Sequence, residues 1–251
     1  MKFILNRVQM LALSLMTATS LVMATEIQSP YTPTTYDFGG IGLIQMPNGR
    51  SAADGEFSAG FTINNDYRHY HTSLQVMPWF ETTIRYTQTP DLLYSGDPNF
   101  SGDTEYTDKG VDLKFRLWQE SFWLPETAIG FRDLAGTGLF DGEYIAASKR
   151  FGDFDVTLGV GWGYIGNRGN LKGNKSNPDC GRGSNYKGRG GSLDYERWFT
   201  GCMSVFGGVE YQTPWKPLVI KVEYDANDYK GDFVAVRLPH EMEQDSPSMW
   251  V

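Results

Sequence analysis

Three observations predict an all-β chain, an antiparallel up-and-down outer-membrane β-barrel or partial barrel of about ten strands. Apolar residues recur with a period of two, long and short connections sort by parity, and aromatic residues gather at strand ends. The 251 residues, 40% of them hydrophobic and 14% aromatic, suffice for one core and exceed the apolar content of disordered chains. The 29 glycines follow no three-residue period, which excludes collagen. A net charge of −8 repels phosphate backbones, so no nucleic acid partner is expected. No apolar run of the ~18 residues that mark a membrane-spanning helix follows Thr25, a test that strands escape.

Residues 1–24 read as a signal peptide. Lys2 and Arg7 flank a short basic region, Val8 to Met23 is apolar but diluted by Ser and Thr, and Val22-Met23-Ala24 precedes a mature start at Thr25. Residues 25–54 begin polar and proline-bearing and read as an extended segment with a short strand at 40–46. The barrel region spans 55–238. Its strands are expected at 55–64, 68–77, 80–88, 109–118, 126–133, 142–150, 153–163, 203–211, 217–225 and 232–238. In the first of these Phe57, Ala59, Phe61 and Ile63 alternate with Glu56, Ser58, Gly60 and Thr62, and the later strands repeat the pattern. No helical period is found after the signal peptide. The tail at 239–251 is irregular and acidic, offers no final strand to close a sheet edge, and is expected to mark the front portion of something longer.

The connections carry the membrane reading. Pro78-Trp79, Gln119 to Pro125, Phe151-Gly152 and Gln212 to Lys216 are short, whereas Thr89 to Asp108 and Tyr164 to Cys202 are long and fall on the opposite side. Outer-membrane barrels sort their loops in this way. Trp79, Trp118, Trp123, Trp162 and Trp215 lie at or beside strand ends, where interfacial girdles sit. Asp112, Lys114 and Arg116 alternate with Val111, Leu113, Phe115 and Leu117, and Lys221 and Glu223 with Ile220, Val222 and Tyr224. The five charged residues are therefore expected to face the lumen and their apolar neighbours the lipid.

Motifs for chemistry are sparse. Gly161 to Gly166 has the spacing of a dinucleotide-binding turn but opens no helix, so it reads as a strand end followed by a loop. Asp37-Phe38-Gly39 matches a kinase tripeptide in letters only. His69 and His71 share a strand face, which reads as a polar pair facing lumen or solvent rather than a metal site. Asp103, Glu105 and Asp108, and Glu241, Glu243 and Asp245, read as solvated acidic loops, with nothing to split their pKa values for glycan cleavage. No catalytic, cofactor or metal residue is assigned. Cys180 and Cys202, the two cysteines, are expected to form a disulfide whose loop of about 20 residues contributes on the order of 3 kcal/mol. Between them and just before lies a basic island in an acidic chain: Arg168, Lys172, Lys175, Arg182, Lys187, Arg189 and Arg197. It reads equally as a contact for acidic polysaccharide or lipopolysaccharide phosphate and as a loop pinned by the disulfide.

Tyr36-Asp37-Phe38-Gly39-Gly40-Ile41-Gly42-Leu43-Ile44-Gln45-Met46-Pro47, followed by Asp54-Gly55-Glu56-Phe57, resembles the start of the YjbH family of exopolysaccharide-associated outer-membrane proteins. Pro125 to Gly130, Leu134 to Gly138, Ala147 to Arg150 and Phe206 to Tyr211 continue the resemblance, which covers residues 36 to 230. It implies a non-enzymatic barrel in the outer membrane of a Gram-negative bacterium that helps polysaccharide reach or cross that membrane. Its partners would be outer-membrane lipid, exopolysaccharide and other export proteins. The chain departs from the family in two ways: members are several hundred residues longer, and many look like lipoproteins, whereas this leader has no lipid-accepting cysteine. Two other classes stay open on the sequence: a soluble secreted β-sandwich that binds glycan, and a polysaccharide-cleaving enzyme.

Overall fold

The computed structural model describes residues 32–95, 97–136, 138–171, 195–215, 217–229 and 249–250. The signal peptide, the strand expected at 232–238 and the acidic residues Glu241, Glu243 and Asp245 lie outside the described residues. Alternation of β-branched and aromatic residues with polar ones builds long strands. They are β1 (Phe57–Ile63), β2 (Arg68–Met77), β3 (Phe80–Leu93), β4 (Glu105–Trp118) and β5 (Glu126–Arg132), then β6 (Gly142–Phe151), β7 (Phe154–Gly163), β8 (Met203–Gln212), β9 (Val219–Tyr224) and β10 (Met249–Trp250). All ten form one antiparallel sheet in sequence order. Among the described residues β1 pairs only with β2 and β10 only with β9, so the sheet is open and no closed barrel is formed.

Several sequence boundaries shift. The strands expected at 80–88 and 109–118 extend toward each other as β3 and β4, with a register break between Thr89 and Leu93, and leave a connection of 94–104 that holds one short helix, Pro98–Ser101. Pro90 lacks the N–H needed for unbroken pairing, which is why the ladder skips there. The expected strand at 40–46 is instead a pair of tight turns with single bridges Thr35↔Ile41 and Gly42↔Pro47. In the tail, Met249 and Trp250 pair with Tyr224 and Glu223 rather than staying irregular. Glu105 and Asp108, expected in a loop, belong to β4, and Asp108 is buried. Tyr164–Gly166 forms a 3-10 turn at the end of β7.

The two faces of the sheet are the reverse of a water-soluble protein's. Phe57, Phe61, Ile63, Ile84 and Leu158 are exposed, Phe61 at 68% and Leu158 at 64%. The opposite face buries His69, His71, Glu81, Thr83, Arg85, Asp112, Lys114, Asp155 and Glu223, with Arg85 only 1% exposed. A buried polar face and an exposed apolar one are the two informative departures from ordinary burial.

What covers the polar face is the segment 34–50. Ile41 is bonded to Glu81 of β3 and Lys114 of β4, while its neighbour Gly42 is bonded to Lys221 of β9. In a flat sheet β4 and β9 would stand about 24 Å apart at the usual strand spacing. The sheet therefore curls round the segment, its polar face concave. Gly130 and Gly159 allow this: a Cβ on Gly130 would lie 2.2 Å from the Tyr144 ring, and one on Gly159 2.3 Å from Phe206. Each glycine stands directly across the ladder from its aromatic, which lies flat over it and fills the concave side. Met46, Tyr144, Ala146, Ile165, Phe206 and Ala226 form one buried apolar cluster there.

Candidate functional site

The concave face is a set of side chains that complete the backbone of the segment. The carboxylate of Glu223 accepts the N–H groups of Ile44, Gln45 and Met46 at 2.9, 3.0 and 2.9 Å. Lys221 Nζ donates to the carbonyls of Gly42 and Leu43 at 2.8 and 2.6 Å, and Lys114 Nζ to that of Ile41 at 2.9 Å. Arg132 donates to Gln45 O, Ser73 to Gly39 O, and Ser148 Oγ accepts from Gly49 N. A segment with two sharp turns leaves many of its own peptide groups without ladder partners, and buried peptide groups must be satisfied. That requirement explains why a sheet otherwise built of alternating apolar residues carries so many charges on one face.

At the long-loop end the segment presents aromatics to guanidinium groups. Phe38 lies 4.0 Å from Arg132 Cζ and 4.9 Å from Arg85 Cζ, measured to its ring centroid. His69, Phe140 and Tyr164 complete the surroundings of Phe38 at centroid distances of 4.9, 5.5 and 6.3 Å. Arg85 also pairs with Asp112 at 2.8 Å, and Asp112 accepts Asp133 N at 2.8 Å. Burial pushes the Tyr36 phenol up to about 12, against the pull of Arg132. Burial also raises the Asp37 carboxyl to about 6, which Lys221 opposes. Asp133 is raised to about 8 by burial and by the charge of Asp108, with Arg85 pulling the other way.

At the short-turn end Arg50 closes the segment. Its guanidinium reaches Asp155 through two nitrogens at 2.9 and 2.6 Å, Glu126 at 3.1 Å and Glu120 at 2.6 Å. Burial works against this charge, but the hydrogen bonds and charges of Asp155, Glu126 and Glu120 outweigh it, so its pKa rises. The segment thus runs the length of the concave face. A void of about 10 Å³ among Tyr36, Glu81, Asp112, Lys114 and Arg132 leaves space for one water at most.

A second recess, of about 30 Å³, lies at the long-loop rim where Tyr195–Arg197 and Trp198 fold over the ends of β5 and β6. Arg197 pairs with Asp141 at 3.1 Å, Glu143 accepts Phe199 N at 2.8 Å, and the Trp198 ring stands 4.8 Å from Phe131.

The structure places Asp112, Lys114, Arg116, Lys221 and Glu223 on the concave face. Asp112, Lys114 and Glu223 are buried there under the segment rather than open to water. His69 and His71 are likewise buried, and His69 Nδ1 meets Thr87 Oγ1 at 2.8 Å. Among the described residues no cluster of His, Cys, Asp and Glu has metal-binding geometry. Cys202 is buried and disulfide-bonded. Cys180 lies outside the described residues, as do Lys172, Lys175, Arg182, Lys187 and Arg189. Of the basic island, Arg168 is tied down, donating to Asp225 O and Asn227 O. Alternation does not single out Tyr36, Phe38, Arg50 or Trp198, none of which lies on a strand, and Asp133, the last residue of the strand expected at 126–133, falls just beyond β5. The first two and Asp133 do fall in or beside the stretches that carry the family resemblance.

The family profile described as "Exopolysaccharide biosynthesis protein YbjH" matches residues 34–250. The chain is 52% identical over 208 residues to a protein of Escherichia coli (strain K12) named "Uncharacterized lipoprotein YjbH". That match takes in 82% of this chain and 30% of the relative, so the chain spans less than a third of the relative's length. No solved structure matches it. The family-bearing stretches are those that form the segment, the β5–β6 loop and the strands that grip them, and the chain belongs to the YjbH family.

Proposed function

We propose that this chain forms part or all of an outer-membrane β-barrel that assists exopolysaccharide secretion without catalysing a reaction. The observation that carries this reading is the inverted surface: a continuous apolar convex face from β1 to β9 on which, among the described residues, no second layer packs. In water such a face is an aggregation hazard; against lipid it is the stable arrangement. A sandwich would bury that face under a second sheet. Trp79, Trp123 and Trp215, exposed at the short-turn end, suit the headgroup boundary on the periplasmic side. Hydrocarbon does not tolerate an open sheet edge, so in this reading β1 pairs with a strand other than those described, from this chain or a longer one. Family membership supports the polysaccharide. Since the segment 34–50 fills the concave face, a polymer passing there requires the segment to withdraw.

Fractionation tests the reading. The protein should stay in the outer membrane through carbonate washing and migrate faster unheated than boiled in mild detergent gels. Release into the wash, with one gel position, would refute it.

A further inference from the structure

We propose that the rim recess between the β5–β6 connection and Trp198 binds a neutral, hydroxyl-rich sugar unit of the exported polymer. This rests on the secretion reading above and adds the place and the chemistry of contact. The recess is lined by Asp133, Asp141 and Glu143 on one side and by Arg197 and Trp198 on the other. Asp133 is 3% exposed, yet its Oδ1 meets no hydrogen-bond partner, and neither does the buried Nε of Arg197. An acceptor and a donor left unmade on two residues that line one small void are costly unless something fills it.

A sugar answers all of these features at once. A hydroxyl both donates and accepts, so one hydroxyl or hydroxymethyl group can satisfy a carboxyl oxygen and a guanidinium N–H together. About 30 Å³ admits such a group and excludes a whole ring. The ring then lies outside the void, its C–H face against the partly buried indole of Trp198, which Phe131 backs at 4.8 Å. Gly136 and Gly138 contribute no side chains to the lining. The Asp141 and Glu143 carboxylates and the Asp133 carboxyl, set against Arg132 and Arg197, leave no net positive charge to draw in a uronate, sulfate or phosphate. The site therefore selects neutral units, in contrast to what the basic island alone would suggest.

The test uses the full chain in detergent micelles, titrated with maltohexaose, cellohexaose and a linear β-1,3-glucan hexaose, and with a hexagalacturonate as the acidic counter-probe. Calorimetry and saturation-transfer NMR read binding. At least one neutral hexaose should bind saturably, more tightly than the galacturonate. Trp198→Ala should weaken it at least tenfold, Arg197→Met about as much, and Trp198→Phe, which keeps an aromatic face, by less than either. The gel shift on heating, unchanged in each variant, verifies that the fold survives. Absence of neutral binding, preference for the acidic probe, or affinity untouched by Trp198→Ala would each overturn the proposal. Displacement of the hexaose by lipopolysaccharide micelles would assign the sugar to the lipid and overturn its assignment to the exported polymer. None of these outcomes bears on fractionation, so the membrane reading stands or falls separately.

Discussion

The carboxylate of Glu223 and the backbone N–H of Met46 meet at 2.9 Å although 177 residues separate them. The same carboxylate holds Ile44 and Gln45, so one side chain on β9 fixes the second turn of the segment. Glu223→Ala orphans three N–H groups, one buried and two partly buried, and should destabilise the protein by about 3 kcal/mol. Glu223→Gln, which keeps one acceptor oxygen, should cost about 1 kcal/mol. Urea unfolding of the detergent-folded protein measures both, and equal losses would contradict this role.

Phe38 is held between two guanidinium groups and four aromatic or imidazole rings. Removing its ring leaves a cavity and strips Arg85 and Arg132 of their cation–π partner. Phe38→Ala should destabilise by about 4 kcal/mol. Phe38→Leu should recover part of the packing but none of the ring attraction, and the same unfolding assay ranks the two.

Labelling distinguishes the faces. Lys114→Cys lies under Ile41 and should resist a bulky water-soluble maleimide in the folded protein. It should become reactive when combined with Phe38→Ala, which loosens the segment. Ile84→Cys and Leu158→Cys, on the convex face, should fluoresce when tagged with bimane and be quenched by brominated lipid. Fast aqueous labelling of Lys114→Cys in the otherwise unchanged protein would show that the segment does not cover the face.

Acid should stabilise the folded protein. Asp133 ordinarily titrates near 3.8 but holds its proton to about 8 in the folded state, so between these values the folded form binds more protons than the unfolded one. Stability accordingly falls as pH rises from about 4 to about 8 and levels off above. Asp37, raised to about 6, adds a loss of the same sign over the lower half of that window. Asp133→Asn keeps an acceptor for Phe140 N and removes the titration, so its urea midpoint should differ less between pH 5 and pH 8 than the unchanged protein's. An undiminished difference would clear Asp133 of the effect.

Strand positions were legible because each residue reports its face through its neighbours two places away. Arg68–Met77 coincides with the stretch that alternation marks, and Glu126–Arg132 differs by one residue. Tyr36 to Pro47 was not legible, since its turns follow from Lys114, Lys221 and Glu223, far along the chain, rather than from any local period. The charges themselves were visible; their burial was not, because alternation shows that a residue faces inward without showing what fills the inside. Trp198 stood among glycines and cations where no period exists.

The segment 34–50 also sets a timetable. In N- to C-terminal synthesis its residues appear before the strands that must receive them, and Lys221 and Glu223 come near the end of the described sheet. Until β9 arrives, Phe38, Leu43 and Met46 are apolar surface attached to unsatisfied peptide groups, the kind of surface that chaperones hold. Long-range contacts of this kind also slow folding. What emerges first is therefore locked last, and the final hydrogen bonds to form report that the whole sheet has been assembled.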